Sequence, residues 1–490
     1  MSNRPVIVGI DQGTTGTTVL LLDQHLAQLG RGYCEIPQSY PQPGQVEHDP
    51  EAIWQSVLTA FAQARVQAGA IEIAAIGITN QRETTLLWER ATGQPVAPAI
   101  VWQDRRTAEM CARLRAEGRE ELVRQRTGLL LDPYFSASKI AWLLDNVPDL
   151  RRRAEAGEIA FGTVDSFLLW RLCGGQLHLT DVSNASRTLL LDIESLKWSP
   201  EMCRLFGVPS GLLAKLGPTS GRLAVTRTVG EIPGGIPVAA AVGDQQAALF
   251  GQRCLRPGDA KCTFGTGSFL LMNVGSRPVL SRHRLLGTVA WQTAAGTTWA
   301  LEGSAFVSGA LIQWLRDGLG IINHAADSEG LAASVPDDGG VTIVPALAGL
   351  GAPHWRSEAR GAILGLTRGT RAAHIARAAL QAMALQNVDL VRAMEQDAGH
   401  ALTSLRVDGG ATSNNLLMQI QADLLGVDIV RPAQVELTAL GAARLAAEGV
   451  GFAIDREAAT DPGATIFHPC MPARERDRIL SRWQEAIAKA

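Results

Sequence analysis

Val6-Ile7-Val8-Gly9-Ile10-Asp11-Gln12-Gly13-Thr14-Thr15-Gly16-Thr17-Thr18-Val19-Leu20-Leu21-Leu22 sets two short apolar runs on either side of a Gly/Thr-rich turn. Aliphatic runs of this length around such a turn predict a β-hairpin, with strands at Val6–Ile10 and Val19–Leu22. Glycine permits positive φ and close approach, so the backbone N–H groups of a turn like this can converge on an anion. Thr14 and Thr15 add hydroxyl donors, and Asp11 at the end of the first strand could hold a hydrated Mg²⁺. Read alone, such a turn is more often an ordinary hairpin.

The pattern restarts past the middle of the chain. Ala260-Lys261-Cys262-Thr263-Phe264 leads into Gly265-Thr266-Gly267-Ser268 and then Phe269 to Val274, again strand, Gly/Thr turn, strand. Two halves that each carry such a hairpin predict two similar lobes facing a cleft. Arg256-Pro257-Gly258 marks a break, and the expected domains are 1–245 and 246–490. Between the hairpins, Asp49-Pro50 opens a helix, with Asp49 as N-cap and Pro50 in the first turn. Ile53, Val57 and Phe61 recur on one face, and Gly69 stands where the helix should stop. Ile73 to Thr79 is a buried-strand candidate, and strands mixed with helices indicate an α/β protein.

Composition narrows the function. The chain has 490 residues, 46% hydrophobic and 19% charged, with Lys+Arg 45 against Asp+Glu 48 and a net charge of -3. That balance argues against an affinity built on neutralising nucleic-acid phosphates. The basic run Arg151-Arg152-Arg153 reads as a solvated helix face. The seven cysteines are scattered without CxxC or zinc-finger spacing, so reduced, mostly buried thiols are expected. The apolar run before Asp11 is too short for a signal segment or a membrane span. A soluble, cytoplasmic protein is therefore expected.

Other residues could carry chemistry. No GxxxxGK[ST] occurs, which excludes a P-loop, and the protein-kinase signatures are missing too. Leu405-Arg406-Val407-Asp408-Gly409-Gly410 is a strand running into a glycine pair, where a flat ligand or phosphate could approach backbone; a plain strand-helix turn fits as well. Ser413 is a candidate cap for the next helix, whose apolar face is Leu416, Leu417, Ile420 and Leu424. Asp244, in Gly243-Asp244-Gln245-Gln246 after the apolar Val238 to Val242, fits either a helix N-cap or a carboxylate that accepts a hydroxyl proton. The adjacent Arg82-Glu83 could grip neighbouring hydroxyls of a polyol, or form a surface ion pair. Trp102, Tyr134 and Phe269 could wall a carbon chain, or belong to the core.

Taken together, these tracts resemble the glycerol kinases of the FGGY carbohydrate kinase family. The resemblance runs from about residue 5 to residue 450 and rests on long ordered stretches. They include DQGTTGTT at 11, VEHDP at 46, GITNQRETT at 77, AIVWQDRRT at 99, DPYFSASK at 132 and TDVSNASRT at 180. GDQQAALFGQ at 243, FGTGSFLLMN at 264, ALEG at 300, LRVDGGATSN at 405 and ELTALGAA at 436 continue it. The resemblance implies two actin/hexokinase/Hsp70-like (ribonuclease H-like) domains facing an interlobe cleft. It implies ATP and glycerol as substrates, ADP as a product and Mg²⁺ as the metal, in a homodimer or homotetramer with no nucleic-acid partner. Arg82, Glu83, Trp102, Tyr134, Asp244, Gln245 and Phe269 would contact the polyol, with Asp244 as general base. Thr14, Thr15, Gly16, Thr266, Gly309, Gln313, Gly410 and Asn414 would contact the nucleotide, and Asp11 the metal. Another short polyol or a ketose is the alternative acceptor.

The chain also departs from the family. The family's first turn usually reads DQGTTSSR, whereas this chain has Thr17-Thr18, so position 18 offers a hydroxyl but no cation. His354-Trp355-Arg356 replaces a more usual Tyr-Trp-Asp. Thr226 to Gly230 lacks a Gly-Lys-Gly loop linked to sugar-bisphosphate inhibition in some relatives.

Overall fold

The structure is a computed structural model that describes residues 4–347, 349–356, 358–455 and 463–490. The opening stretch forms β1 (Arg4–Gln12) and β2 (Gly16–Leu22), paired antiparallel with Asp11 opposite Thr18. β3 (Gln28–Glu35) continues the meander. β4 (Ile71–Asn80) lies parallel to β1 on its other side. With β5 (Ser220–Val225) and β6 (Pro237–Gly243) they form a six-stranded sheet in the order β5-β6-β4-β1-β2-β3.

The second sheet repeats this plan. β7 (Ala260–Phe264) and β8 (Ser268–Gly275) form the second hairpin. β9 (Leu286–Thr293), β10 (Gly296–Ala305), β11 (Ser404–Asp408), β12 (Asp428–Arg431) and β13 (Thr465–Phe467) complete a seven-stranded sheet. Its order is β9-β10-β8-β7-β11-β12-β13. Three antiparallel strands, two parallel additions and an antiparallel edge therefore occur in both sheets, with β9 extra in the second.

Local chemistry accounts for the helices that cover these sheets. Asp49 caps Pro50–Ala68 by accepting from the Glu51 N–H, Pro50 sits in the first turn, and Gly69 ends the helix at φ 67°. Ile53, Trp54, Val57 and Phe61 are its buried face, each worth about 1.5–3 kcal/mol of burial. The helix Leu437–Val450 comes from the second half of the chain yet covers the first sheet. Glycines allow that approach: a Cβ on Gly9 or Gly77 would sit 2.2 or 2.1 Å from the carbonyl oxygens of Ala439 and Ala442. In the second sheet, Cys262, Leu270, Leu301 and Val407 share a core with the helices Ala372–Ala398 and Asn415–Leu425.

Two local expectations are refined. Ser413 does not cap the helix that follows it. Its hydroxyl donates to the Gly410 carbonyl within the 3₁₀ turn Gly410–Ser413, and Asn414 accepts the Leu417 N–H instead. The arginine run lies on Leu150–Glu155 and pairs with Asp145, Asp149, Glu89 and Glu158, so it is a solvated face. All seven cysteines are free, five of them buried. Among the described residues no helix is long and apolar enough to cross a membrane.

Candidate active site

β1, β4 and β6 are adjacent and parallel, and their carboxyl ends deliver Asp11, Gln81-Arg82-Glu83 and Asp244 to one edge of the first sheet. In open α/β sheets this edge is where ligands bind. In the second sheet, β7 and β11 deliver Gly265-Thr266 and Gly409-Gly410 in the same way.

The first turn is braced from below. Gln81 donates through Nε2 to Gln12 Oε1 at 3.1 Å and to the Gly13 carbonyl at 3.3 Å, and the Gly13 N–H closes the turn onto Gly16 O at 2.9 Å. Thr14 Oγ1 accepts from the Trp102 indole N–H at 2.9 Å. The indole therefore ties the turn to the aromatic wall, where it meets Tyr134 edge-on at 5.6 Å. Asp11 is half-buried beyond the turn. Burial, reinforced by the negative charges of Asp244 and Glu436, pushes its carboxyl well above the ordinary range. Thr18 is buried on β2 opposite Asp11 and Tyr33.

Arg82 and Glu83 are both buried, at 3% and 1% exposure, which rules out the surface ion pair. Nor do they chiefly bind each other, since their closest approach is 3.9 Å. The Arg82 guanidinium forks onto Glu302 of β10, with Nη2 to Oε1 at 3.1 Å, while its Nε lies 3.3 Å from Asp244. Glu83 accepts from Arg187 Nε at 2.7 Å, and Arg187 Nη2 also reaches Glu302 at 3.1 Å. Burial alone would raise the Glu302 carboxyl; Arg187 and Arg82 overcome it and hold it at about 2. Glu83 has φ 61°, a conformation unusual outside glycine that persists only where its surroundings enforce it. Tyr134 completes the cluster, with Arg82 Nη2 donating to its hydroxyl at 3.4 Å.

Asp244 begins the helix Asp244–Gly251 and accepts the Gln245 N–H at 2.6 Å, yet its side chain keeps 28% of its exposure. Gly243 is the N-cap of that helix and Asp244 its first helical residue, so the N-cap reading of Asp244 is corrected, and its carboxylate keeps an open face. Burial raises its carboxyl, opposed by Arg82, the Gln245 N–H and Lys261. Phe269 is half-buried on β8 between Thr263 and Ser304. Among the described residues no ring contact joins it to Trp102 or Tyr134.

The nucleotide-type positions gather on the second sheet. The carbonyls of Gly265 and Thr266 accept the N–H groups of Gly309 and Ala310 at 3.0 and 3.1 Å, docking the helix Gly309–Asp317 onto the turn. Gln313 lies exposed one turn further along that helix. Gly409, at φ 94°, closes on β7, where a Cβ would sit 2.4 Å from Phe264 O; Gly410 beside it borders open space. Asn414 caps the helix that follows.

Glu302 and Arg187 are the principal residues without a role in the sequence reading. Both lie inside the quoted tracts ALEG and TDVSNASRT. For Glu302, a charge inside the apolar strand run Trp299–Leu301 is the available signal, because such a charge must find partners; Arg187, in the turn after Val182–Ala185, offers no comparable local signal.

The FGGY family of carbohydrate kinases matches over most of the chain, its N-terminal domain at residues 6–251 and its C-terminal domain at residues 260–449. The chain is 55% identical over 486 residues to a glycerol kinase of Alkalilimnicola ehrlichii, covering 99% of this chain and 98% of that protein. It is 52% identical to a glycerol kinase of Myxococcus xanthus over 100% of both. Among solved structures, Plasmodium falciparum glycerol kinase with ADP superimposes with a TM-score of 0.95 at 33% identity, over 100% of this chain and 99% of that one. A Brucella ovis xylulose kinase follows the same fold at 25% identity, with a TM-score of 0.85 over 99% and 97%. The chain belongs to the FGGY family of carbohydrate kinases and, within it, to the glycerol kinases.

Proposed function

We propose that the chain transfers the γ-phosphoryl group of ATP to a terminal hydroxyl of glycerol, giving sn-glycerol 3-phosphate and ADP. The observation that carries this reading is the buried Arg82–Glu302–Arg187–Glu83 cluster, which meets Asp244 at one end and, through Tyr134 and Trp102, the Thr14 turn at the other. Fixed donors and acceptors of this kind suit a short, hydroxyl-rich acceptor.

In the reaction, the acceptor hydroxyl attacks the γ-phosphorus as Asp244 takes its proton, and the bond to the β–γ bridging oxygen breaks to release ADP. Arg82, Glu83, Tyr134 and Gln245 orient the hydroxyls, while Trp102 and Phe269 wall the carbon chain. Thr14, Thr15, Gly16 and Thr266 hold the phosphates; Gly309, Gln313, Gly410 and Asn414 border the rest of the nucleotide. Asp11 fits a hydrated Mg²⁺, because a carboxyl raised by burial and by two like charges gains most from a cation. One carboxylate plus phosphate oxygens is a usual Mg²⁺ donor set. Bound there, the ion would neutralise the transferring phosphoryl group. The lobes, divided near residue 245, close over both substrates and exclude water. A cytoplasmic location fits a reaction that consumes ATP.

An acceptor panel tests the choice of substrate. With ATP saturating, kcat/KM for glycerol should exceed those for erythritol, dihydroxyacetone and xylulose by at least about tenfold. A higher value for xylulose would assign the site to a ketose.

A further inference from the structure

The strand β7 alternates in an informative way. Ala260, Cys262 and Phe264 enter the core of the second lobe, whereas Lys261 and Thr263 point to the other face, toward the helix that starts at Asp244. Lys261 is fully buried, in a sheet position where an aliphatic residue would pack without the cost of desolvating an ammonium. Both of its hydrogen-bond partners are uncharged oxygens: Thr263 Oγ1 at 2.7 Å, and Gln245 Oε1.

Two consequences follow. An ammonium only donates, so Gln245 must turn its carbonyl oxygen toward Lys261, which leaves its NH₂ group as the donor at its other face. Charge is the second consequence. Among the described residues, Glu83, Glu302 and Asp244 pair with Arg82 and Arg187, and the positive charge of Lys261 acts on both Asp244 and Glu302. Buried Lys139 adds a positive charge beside Glu83, whereas Lys261 supplies one to Asp244 and Glu302, and it does so from the opposite sheet. On the first lobe, Thr18 opposite Asp11 is buried and offers a hydroxyl but no charge.

On the reading of Asp244 and Gln245 given above, we propose that Lys261 is a positioning residue for phosphoryl transfer. It reaches across from the second lobe, locks the Gln245 amide with its NH₂ toward the acceptor, and completes the positive charge around Asp244. The contact joins the two halves of the chain, so it also registers the lobes against each other.

The test is Lys261→Met, which keeps the length and removes the charge. We expect kcat to fall by about a hundredfold, with KM for ATP changed by less than about threefold. Lys261→Ala should behave alike and recover at least about tenfold in kcat with added ethylammonium but not with acetamide of similar size. The amine arm is read within one variant, so it holds even if Lys261→Met folds poorly. A Lys261→Met enzyme with kcat within about threefold of wild type would overturn the proposal, as would equal recovery of Lys261→Ala with acetamide. Wild-type enzyme without glycerol-dependent ADP release would instead overturn the proposed function, so the two failures are separable.

Discussion

Asp244→Asn should lower kcat by about 10²–10⁴-fold while leaving ATP affinity within about twofold. Asparagine has the same shape and can still accept the Gln245 N–H, which aspartate takes at 2.6 Å. What it loses is the capacity to carry away the acceptor proton. Asp244 stands at the carboxyl end of β6, after Gly243, where a Cβ would sit 2.8 Å from Arg82 Cδ, and its carboxylate lies 3.3 Å from Arg82 Nε. Steady-state kinetics at saturating substrates, with nucleotide titration by calorimetry, measures both quantities; near wild-type kcat would remove Asp244 from the base role. The pH dependence has a defined sign. Burial raises this carboxyl above its ordinary value despite Arg82, and only the charged form accepts a proton. Activity should therefore fall on acidification from a pH above the ordinary carboxylate range.

Glu302→Gln carries the second large effect, on stability. Two buried guanidiniums converge on this carboxylate, and removing one partner of such a group costs about 3–5 kcal/mol, because the remaining charges are stranded. Denaturant unfolding monitored by fluorescence should show the loss near neutral pH. The carboxyl is held at about 2 in the folded chain against 4.5 as its ordinary value. Its stabilising contribution is thus complete above the ordinary value and disappears as the pH falls through about 2. The gap between wild type and variant should therefore narrow on acidification below about pH 4.5. A gap that is absent at neutral pH, or constant with pH, would contradict the role given to the ion cluster. KM for glycerol should rise as well, because Arg82 loses the partner that fixes its guanidinium.

What the sequence disclosed, and what it did not, divides along local and long-range lines. Hairpins, caps and single strands depend on neighbouring residues, so Val6–Ile10, Val19–Leu22, Asp49 and Gly69 could be read directly. Ser413 and Asn414 show the limit even there. Both are good capping residues, and the 3₁₀ turn that engages the Ser413 hydroxyl passes the role to its neighbour. The helix Leu437–Val450 is buried along most of its length, but nothing local says that it covers the sheet of the other half. The same holds for the site. Arg82-Glu83 stood out as an adjacent donor and acceptor, whereas their actual partners, Glu302 and Arg187, lie 220 and 104 positions away in the chain. Trp102 was legible only as a wall; its indole N–H bond to Thr14, 88 positions away, is a tertiary fact.

The turn at Asp11 to Thr15 and the cluster at Arg82 matter together only if one reaction uses both. The direct test is to incubate the purified chain with ATP, Mg²⁺ and glycerol, follow the phosphorus by ³¹P NMR, and resolve the product with a stereospecific glycerol 3-phosphate dehydrogenase. The expected result is sn-glycerol 3-phosphate formed mole for mole with ADP, and negligible ATP consumption when glycerol is omitted. ATP consumed at the same rate without glycerol, or ADP formed without a phosphate ester of glycerol, would contradict it.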